Sequence, residues 1–169
     1  NQLLTRKPDL CVSGINHGSN HSVNGLYSGT LHAAMEGTIQ GVSSISFSHL
    51  SYDEQLDLTP FNSIIKIICE HILQNSLPEG ITLNVNFPDV IYSKIKGLKL
   101  CIQSKGSWKE YFKLTKVIDD KHNYLITGEF QSDQHNIETD SWALNNNFIS
   151  LVPVSLDFTA AFQREQLKY

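Results

Sequence analysis

The residues best suited to chemistry lie between positions 13 and 30, where the sequence reads SGINHGSNHSVNGLYSGT. Gly29 and Thr30 stand at the predicted start of a helix, where backbone N–H groups lack intrahelical acceptors and the helix dipole is positive. Such a helix start binds phosphate and other anions. The Ser28 hydroxyl can donate a hydrogen bond to the same anion. These three residues therefore predict a phosphate-binding site.

Amide and imidazole groups precede that helix start in the same stretch. Asn16 and Asn20 supply neutral oxygens of the kind that coordinate hard cations such as Mg²⁺. His17 and His21 lie four residues apart, a spacing that brings two metal ligands together on a helix. The surrounding glycines and serines disfavour a helix, so we interpret both as solvent-facing loop histidines. A contact of His17 with a substrate stays open.

Two other mechanisms do not fit this stretch. Ser28 lacks the glycine two residues earlier that a nucleophile elbow needs. No lysine follows Gly29, so the stretch is not a Walker A loop. Asp9 is the carboxylate nearest in sequence, but it precedes Ser13 and lies about 13 Å away along a strand. We therefore interpret Asp9 as a turn residue.

Strand and helix patterns alternate around the stretch. A β–α–β order implies a parallel sheet with a right-handed crossover, and such sheets bind ligands at the carboxyl ends of their strands. The predicted elements are a strand at Leu10–Val12, a helix at Thr30–Gln40, a strand at Val42–Ser48, a helix with Thr59 as N-cap and Pro60 at its first position, and a strand at Ile81–Phe87. Asn84 and Asn86 share one face of this last strand, where they either line the crevice or are held by loop backbones.

Beyond residue 94 the sequence becomes rich in lysine and β-like. Eight of the thirteen lysines and arginines lie between Lys94 and Lys121, in alternation with apolar residues, which predicts a β-hairpin or extended arm. Trp108, Tyr111 and Phe112 form an apolar cluster typical of a subunit contact. Basic residues between aromatic ones also bind single-stranded nucleic acid, but a solvated hairpin face explains the same pattern.

Length and composition favour a single domain in a reducing compartment. The 169 residues are 40% hydrophobic and carry a net charge of −4, which creates no basic field for nucleic acid or an anionic membrane. The apolar runs are too short to span a bilayer. Three separated cysteines without CxxC spacing indicate reduced core residues in a cytoplasmic protein. Leu3 and Leu4 resemble the end of an element, so we expect a chain truncated at its N-terminus.

Several segments resemble one known family, the SurE family of survival-protein nucleotidases. PDLCVSGINHGSN and LYSGTLHAAMEGTIQG resemble its core signature, and LNVNFPDV, KGLKL and WALNNNFISLVPVSLDFTA resemble its later blocks. The resemblance covers essentially all 169 residues. It implies a Rossmann-like three-layer α/β/α fold with a mostly parallel sheet and an extended β-hairpin arm. It also implies an exchanged C-terminal segment and assembly as a homodimer or homotetramer.

The resemblance further implies a cytoplasmic 5′-nucleotidase, a phosphatase for nucleoside 5′- and 3′-monophosphates that depends on a divalent ion, Mg²⁺ or Mn²⁺. Asn16 matches the family's metal-binding asparagine. Ser28, Gly29 and Thr30 match the helix-start segment beside the phosphate. The histidine that follows LTA in the family is replaced by Ala161 in this sequence.

The family's metal carboxylates come from a paired-aspartate NDDG motif, which this sequence lacks. Its one Asp-Asp pair, Asp119 and Asp120, falls in the predicted arm. No catalytic residue is therefore assigned, and the chain by itself is predicted to be inactive. Two alternatives stay open: a non-catalytic nucleotide-binding or assembly protein that has lost the carboxylates, and a nucleic-acid binder that uses the arm.

These observations predict one SurE-like domain over residues 1–169. Its core covers residues 1–93, its hairpin arm about residues 94–130, and its C-terminal strand and tail about residues 140–169. Phe148–Leu156 forms the strand, and a short helix runs from Asp157 to Tyr169. The function expected of the complete protein is metal-dependent hydrolysis of nucleoside monophosphates, without nucleic-acid or membrane partners.

Overall fold

A computed structural model describes residues 4–132 and 135–159. The elements begin as a β–α–β–α–β series and continue with a fourth strand, a hairpin, a short helix and a last strand. The strands are β1 (Cys11–His17), β2 (Ser44–His49), β3 (Ile81–Phe87), β4 (Gly97–Leu100), β5 (Gly106–Ile118), β6 (Lys121–Ser132) and β7 (Phe148–Ser155). The α-helices are α1 (Gly29–Ile39), α2 (Asn62–Asn75) and α3 (Asp140–Asn145).

Five strands form the main sheet, in the order β1-β2-β3-β7-β4. β1, β2 and β3 run parallel, whereas β7 is antiparallel to β3 and parallel to β4. α1 and α2 connect the successive parallel strands, because such strands need a long crossover. The predicted α/β fold with a mostly parallel sheet is confirmed.

Helices cover both faces of this sheet. Leu83 and Val85 of β3 belong to the main apolar cluster together with Ile68 of α2. On the opposite face, the Thr82 hydroxyl shares a 2.6 Å hydrogen bond with the Thr38 hydroxyl of α1. Since successive side chains of a strand point to opposite faces, α1 and α2 lie on opposite sides of the sheet. The result is the expected three-layer arrangement.

The first strand is longer than predicted. It runs on to His17 instead of ending at Val12, because Asn16 and His17 pair with Ser48 and His49 of β2 beyond an irregularity in register. The strand therefore takes in the first five residues of the stretch expected to be a loop.

Other bounds agree closely with the prediction. α1 begins and ends one residue earlier than predicted, and β3 spans the predicted residues. β2 begins two residues later and ends one residue later than predicted. Thr59 is not the N-cap of α2: a 3-10 turn at Thr59–Phe61 precedes the helix, and Asp57 Oδ1 accepts a hydrogen bond from the Thr59 N–H at 2.9 Å.

β5 and β6 pair as an antiparallel hairpin arm. The arm begins at Gly106 and not near Lys94, because β4 pairs with β7 inside the main sheet. Its tip is formed by Asp119 and Asp120, with φ angles of 48° and 60°, as a tight two-residue hairpin turn requires. Large apolar side chains of the arm are exposed, Phe112 by 70%.

No helix in the described ranges is long and apolar enough to cross a membrane. Residues 157–159 are not helical. The remainder of the predicted terminal helix, including Ala161, lies outside the described residues.

Candidate phosphate site

Ser28 occupies the N-cap position of α1. Its Oγ accepts a hydrogen bond from the Leu31 N–H at 2.9 Å, and its carbonyl oxygen accepts one from the His32 N–H at 3.0 Å. The side chain is buried. The hydroxyl therefore caps the helix, a role worth about 1 kcal/mol, and any bond to an anion is additional to that role.

The first two residues of α1 present free backbone donors. Within the described residues, neither the Gly29 N–H nor the Thr30 N–H has an acceptor. Gly29 is exposed, and a Cβ built on it would meet no atom within 4 Å. An anion can therefore approach these two N–H groups directly, attracted by the dipole of an 11-residue helix.

Asn16 lies near the carboxyl end of β1. Its Nδ2 donates a 2.9 Å hydrogen bond to the Gly18 carbonyl oxygen, and its Oδ1 accepts none from the part of the chain that the structure describes. The irregular backbone before it requires Gly14, whose φ is +113° and whose Cβ would clash with the Phe47 carbonyl oxygen. The Asn16 Oδ1 is therefore left available as a cation ligand.

Asn20, the other candidate ligand, is buried in a structural role instead. Its Nδ2 donates to Ser48 Oγ at 2.7 Å. Its backbone N–H donates to Asn86 Oδ1 at 3.0 Å, and its carbonyl oxygen accepts from Asn84 Nδ2 at 2.9 Å. The two strand asparagines are thus held by a loop backbone, which decides between the two roles that the sequence left open.

A buried carboxylate ties the site loop, defined as residues 18–28, to the rest of the domain. Asp140 Oδ2 accepts from the Ser22 N–H at 2.8 Å, and Oδ1 accepts from the N–H groups of Ser104 at 2.9 Å and Ser141 at 2.7 Å. Ser22 Oγ also donates to the Ser104 carbonyl oxygen at 2.9 Å. The loop, the chain leading into the arm and the start of α3 therefore meet at one side chain, which the sequence analysis did not identify.

His21 is buried, contrary to the solvent-facing role predicted for it. Its ring packs edge-on against Phe130 of the arm, with centroids 5.5 Å apart, and its Nδ1 hydrogen-bonds with Ser19 Oγ. Burial lowers the pKa of His21, and the negative charge of Asp140 opposes the shift only in part. The prediction was wrong because the arm folds over the loop, and local composition carries no sign of that contact.

His17 and His49 lie opposite each other in the register of β1 and β2. His49 Nδ1 accepts a hydrogen bond from the Ser51 N–H at 3.0 Å. His49 Nε2 and His17 Nδ1 are buried and find no partner among the described residues. Burial lowers the pKa of His49, and the charge of Asp89 counteracts part of that effect. The His17 side chain is half-buried, whereas the sequence predicted a solvent-facing one.

Acidification from about pH 7.5 to about pH 5.5 is expected to destabilise the fold through His21. Because burial lowers its folded-state pKa below the ordinary value of 6.5, the unfolded chain binds more protons below that pH. The stability present above pH 6.5 is therefore lost as the pH falls. Thermal unfolding midpoints across this range measure the loss: His21→Gln should reduce the pH dependence, and the part that remains includes the contribution of His49, whose pKa is also lowered by burial. A wild-type slope in His21→Gln would contradict the assignment.

The described residues do not by themselves fit a divalent metal ion. They contain no group of three or more histidine, cysteine, aspartate or glutamate side chains placed to hold one. Asp9 is exposed and paired with Arg6 at 2.8 Å, as its predicted turn role allows. Hard cations need charged carboxylates besides neutral oxygens, and Asn16 offers only a neutral one.

Comparisons with known proteins agree with this architecture. The family model described as Survival protein SurE matches residues 1–110. The 5′-nucleotidase SurE of Flavobacterium psychrophilum is 48% identical over 95% of this chain and 62% of its own length, and that of Flavobacterium johnsoniae is 46% identical over 99% and 64%. The crystal structure of the SurE protein from Aquifex aeolicus superposes with a TM-score of 0.81 at 36% identity, covering 97% of this chain and 66% of that one.

The chain therefore spans less than two thirds of the length of these two Flavobacterium relatives. The match of the family model to more than half of the sequence, the identity to these relatives and the agreement of the folds lead to one conclusion. This chain belongs to the SurE family.

Proposed function

We propose that this chain forms the phosphate-binding part of a metal-dependent phosphatase that hydrolyses nucleoside 5′- and 3′-monophosphates. The observation that carries the proposal is the pair of free N–H groups at Gly29 and Thr30, in a chain that contains Asn16 near the end of the adjoining strand. The names of its relatives as 5′-nucleotidases support the substrate class.

In this proposal the chain binds and orients the phosphate. The N–H groups of Gly29 and Thr30 donate to phosphate oxygens, and the fixed helix dipole favours the charge that builds up on them during phosphoryl transfer. A bound Mg²⁺ or Mn²⁺ would neutralise further charge on the phosphoryl group. Asn16 Oδ1 would be one of its ligands, and the carboxylates would come from the paired aspartates that the family resemblance implies and this sequence lacks.

We further propose a cytoplasmic homodimer or homotetramer without nucleic-acid or membrane partners. Burial raises the pKa of Cys101 to about 11, which supports a reduced, unreactive core thiol. The exposed Tyr111 and Phe112 on the arm support a subunit contact there. Trp108 is less suited to that contact than predicted, because its indole N–H donates to Asn24 Oδ1 of the same chain at 2.8 Å.

A non-catalytic nucleotide-binding protein is the second candidate. The observation that favours it is the lack of a carboxylate cluster around Asn16 in the described ranges. Both candidates contain the phosphate site. They differ in whether the addition of metal-binding carboxylates produces hydrolysis of the nucleotide.

The phosphate site can be tested with Gly29→Val. No atom lies within 4 Å of the position its Cβ would take, so the fold should be kept while the new side chain covers the free N–H groups. We expect calorimetry to show at least about tenfold weaker binding of inorganic phosphate and AMP. Ala33→Val, on an exposed position of the same helix, is the matched control. Equal phosphate affinity in Gly29→Val and Ala33→Val would place the site elsewhere.

A further inference from the structure

A large open cleft lies between the site loop and the base of the arm. Its volume is about 950 Å³. The site-loop wall includes Asn24 and Tyr27, the wall from the arm includes Trp108 and Glu110, and Tyr52 lines it from the segment after β2. The proposed phosphate interactions use none of these side chains.

The two walls of the cleft are fixed to each other. The indole N–H of Trp108, on the arm, donates a hydrogen bond to Asn24 Oδ1 on the site-loop wall. The Trp108 ring also packs on Phe130, with centroids 5.4 Å apart. Gly106 fits so closely against Ser22 and Phe130 that a Cβ there would come within 3 Å of both. The cleft is therefore a preformed feature of the described chain, and binding need not first order its walls.

The lining favours a neutral aromatic ligand. Tyr27 and Tyr52 are 83% and 73% exposed, so their rings are open to stacking. The ring of Tyr52 lies directly over Gly18, where a Cβ would come 2.6 Å from a ring carbon. Glu110 is the single charged residue of the lining, and its negative charge opposes a phosphate. Carboxylate and amide oxygens of the lining can instead accept hydrogen bonds from the exocyclic amino groups of a nucleobase.

The cleft is continuous in sequence with the phosphate site. Its lining includes Leu26 and Tyr27, and Ser28, Gly29 and Thr30 follow directly. A ligand that carries an aromatic base on one end and a phosphate on the other can therefore engage both. We infer that the cleft binds the base of the nucleoside monophosphate, with Tyr27 and Tyr52 as stacking residues. This inference rests on the proposed function for the position of the phosphate.

The test compares two ligands that differ only in the base. Calorimetry on the 169-residue chain measures the affinities of AMP and ribose 5-phosphate, with adenosine as a third probe. Stacking on tyrosine should make AMP bind about tenfold more tightly than ribose 5-phosphate. Tyr27→Ala and Tyr52→Ala should each remove most of that difference and leave ribose 5-phosphate binding unchanged. Tyr124→Ala, an exposed tyrosine of the arm outside the cleft, is the matched control.

The outcomes separate this inference from the proposed function. Equal affinities for AMP and ribose 5-phosphate, or an AMP preference untouched by both variants, overturn the base site and leave the phosphate site standing. Tyrosine-dependent adenosine binding without ribose 5-phosphate binding supports the base site and refutes the phosphate site. Failure of all three ligands to bind overturns both. Circular dichroism of each variant checks that the fold is kept.

Discussion

Asp140→Ala is expected to lower the free energy of unfolding by about 4 kcal/mol. The carboxylate is 1% exposed and accepts three backbone hydrogen bonds, from Ser22, Ser104 and Ser141. Truncation would leave three N–H donors buried without an acceptor, and each such donor costs about 1–3 kcal/mol. The loss would fall on the connection between the site loop, the chain leading into the arm and α3.

Urea denaturation of wild type and variants measures this effect. Asp53→Ala is the matched control, because Asp53 Oδ1 also accepts a backbone hydrogen bond, from Gln55 at 2.9 Å, but the residue is exposed. The control should lose less than about 1 kcal/mol. Asp140→Asn should be intermediate, since an amide keeps one acceptor oxygen. A loss for Asp140→Ala as small as that of Asp53→Ala would show that Asp140 does not hold these elements together.

Local sequence patterns predicted the elements whose signals lie within the element or directly beside it. The alternation of Ile81, Leu83, Val85 and Phe87 predicted β3 with its observed bounds. α1 was predicted to within one residue at each end. In both cases the signal is carried by neighbours in the chain.

The missed features depend on partners that are distant in sequence. β1 was predicted to end at Val12 because Ser13–His17 is polar and glycine-containing, yet these residues are strand through pairing with β2. His21 was expected in solvent because nothing near it in sequence shows that Phe130 covers it. Asp140 meets Ser22 across 118 residues. Such contacts are set by the packing of whole elements, which no local pattern encodes.

The candidate site likewise has one part that is encoded locally and one part that depends on residues distant in sequence. Ser28, Gly29 and Thr30 are a local arrangement at a helix start, so residue types and spacing were enough to propose them. The aromatic cleft could not be predicted, because Tyr27 and Trp108 are brought to one place only by the arm folding back on the loop. The sequence analysis consequently assigned Trp108 to a subunit contact or to nucleic-acid binding, and not to a cleft.

The chain by itself is expected to release no phosphate from nucleoside monophosphates, with Mg²⁺ or Mn²⁺ present. The reason is that the described residues offer Asn16 but no carboxylate cluster to hold the ion. Without a cation, the phosphoryl group meets only the N–H groups of α1, and a large part of the charge stabilisation needed for phosphoryl transfer is missing. Adding metal-binding carboxylates should raise the rate of phosphate release by several orders of magnitude.

The most direct test of this account is phosphate release from AMP by the chain after fusion, ahead of Asn1, to a segment that carries the paired-aspartate NDDG motif implied by the family resemblance. We expect metal-dependent turnover by the fusion and none by the 169-residue chain, and we expect Asn16→Ala in the fusion to lower the rate and to raise the metal concentration required. Metal-dependent turnover by the 169-residue chain alone, or a fusion whose rate is unaffected by Asn16→Ala, would contradict this account.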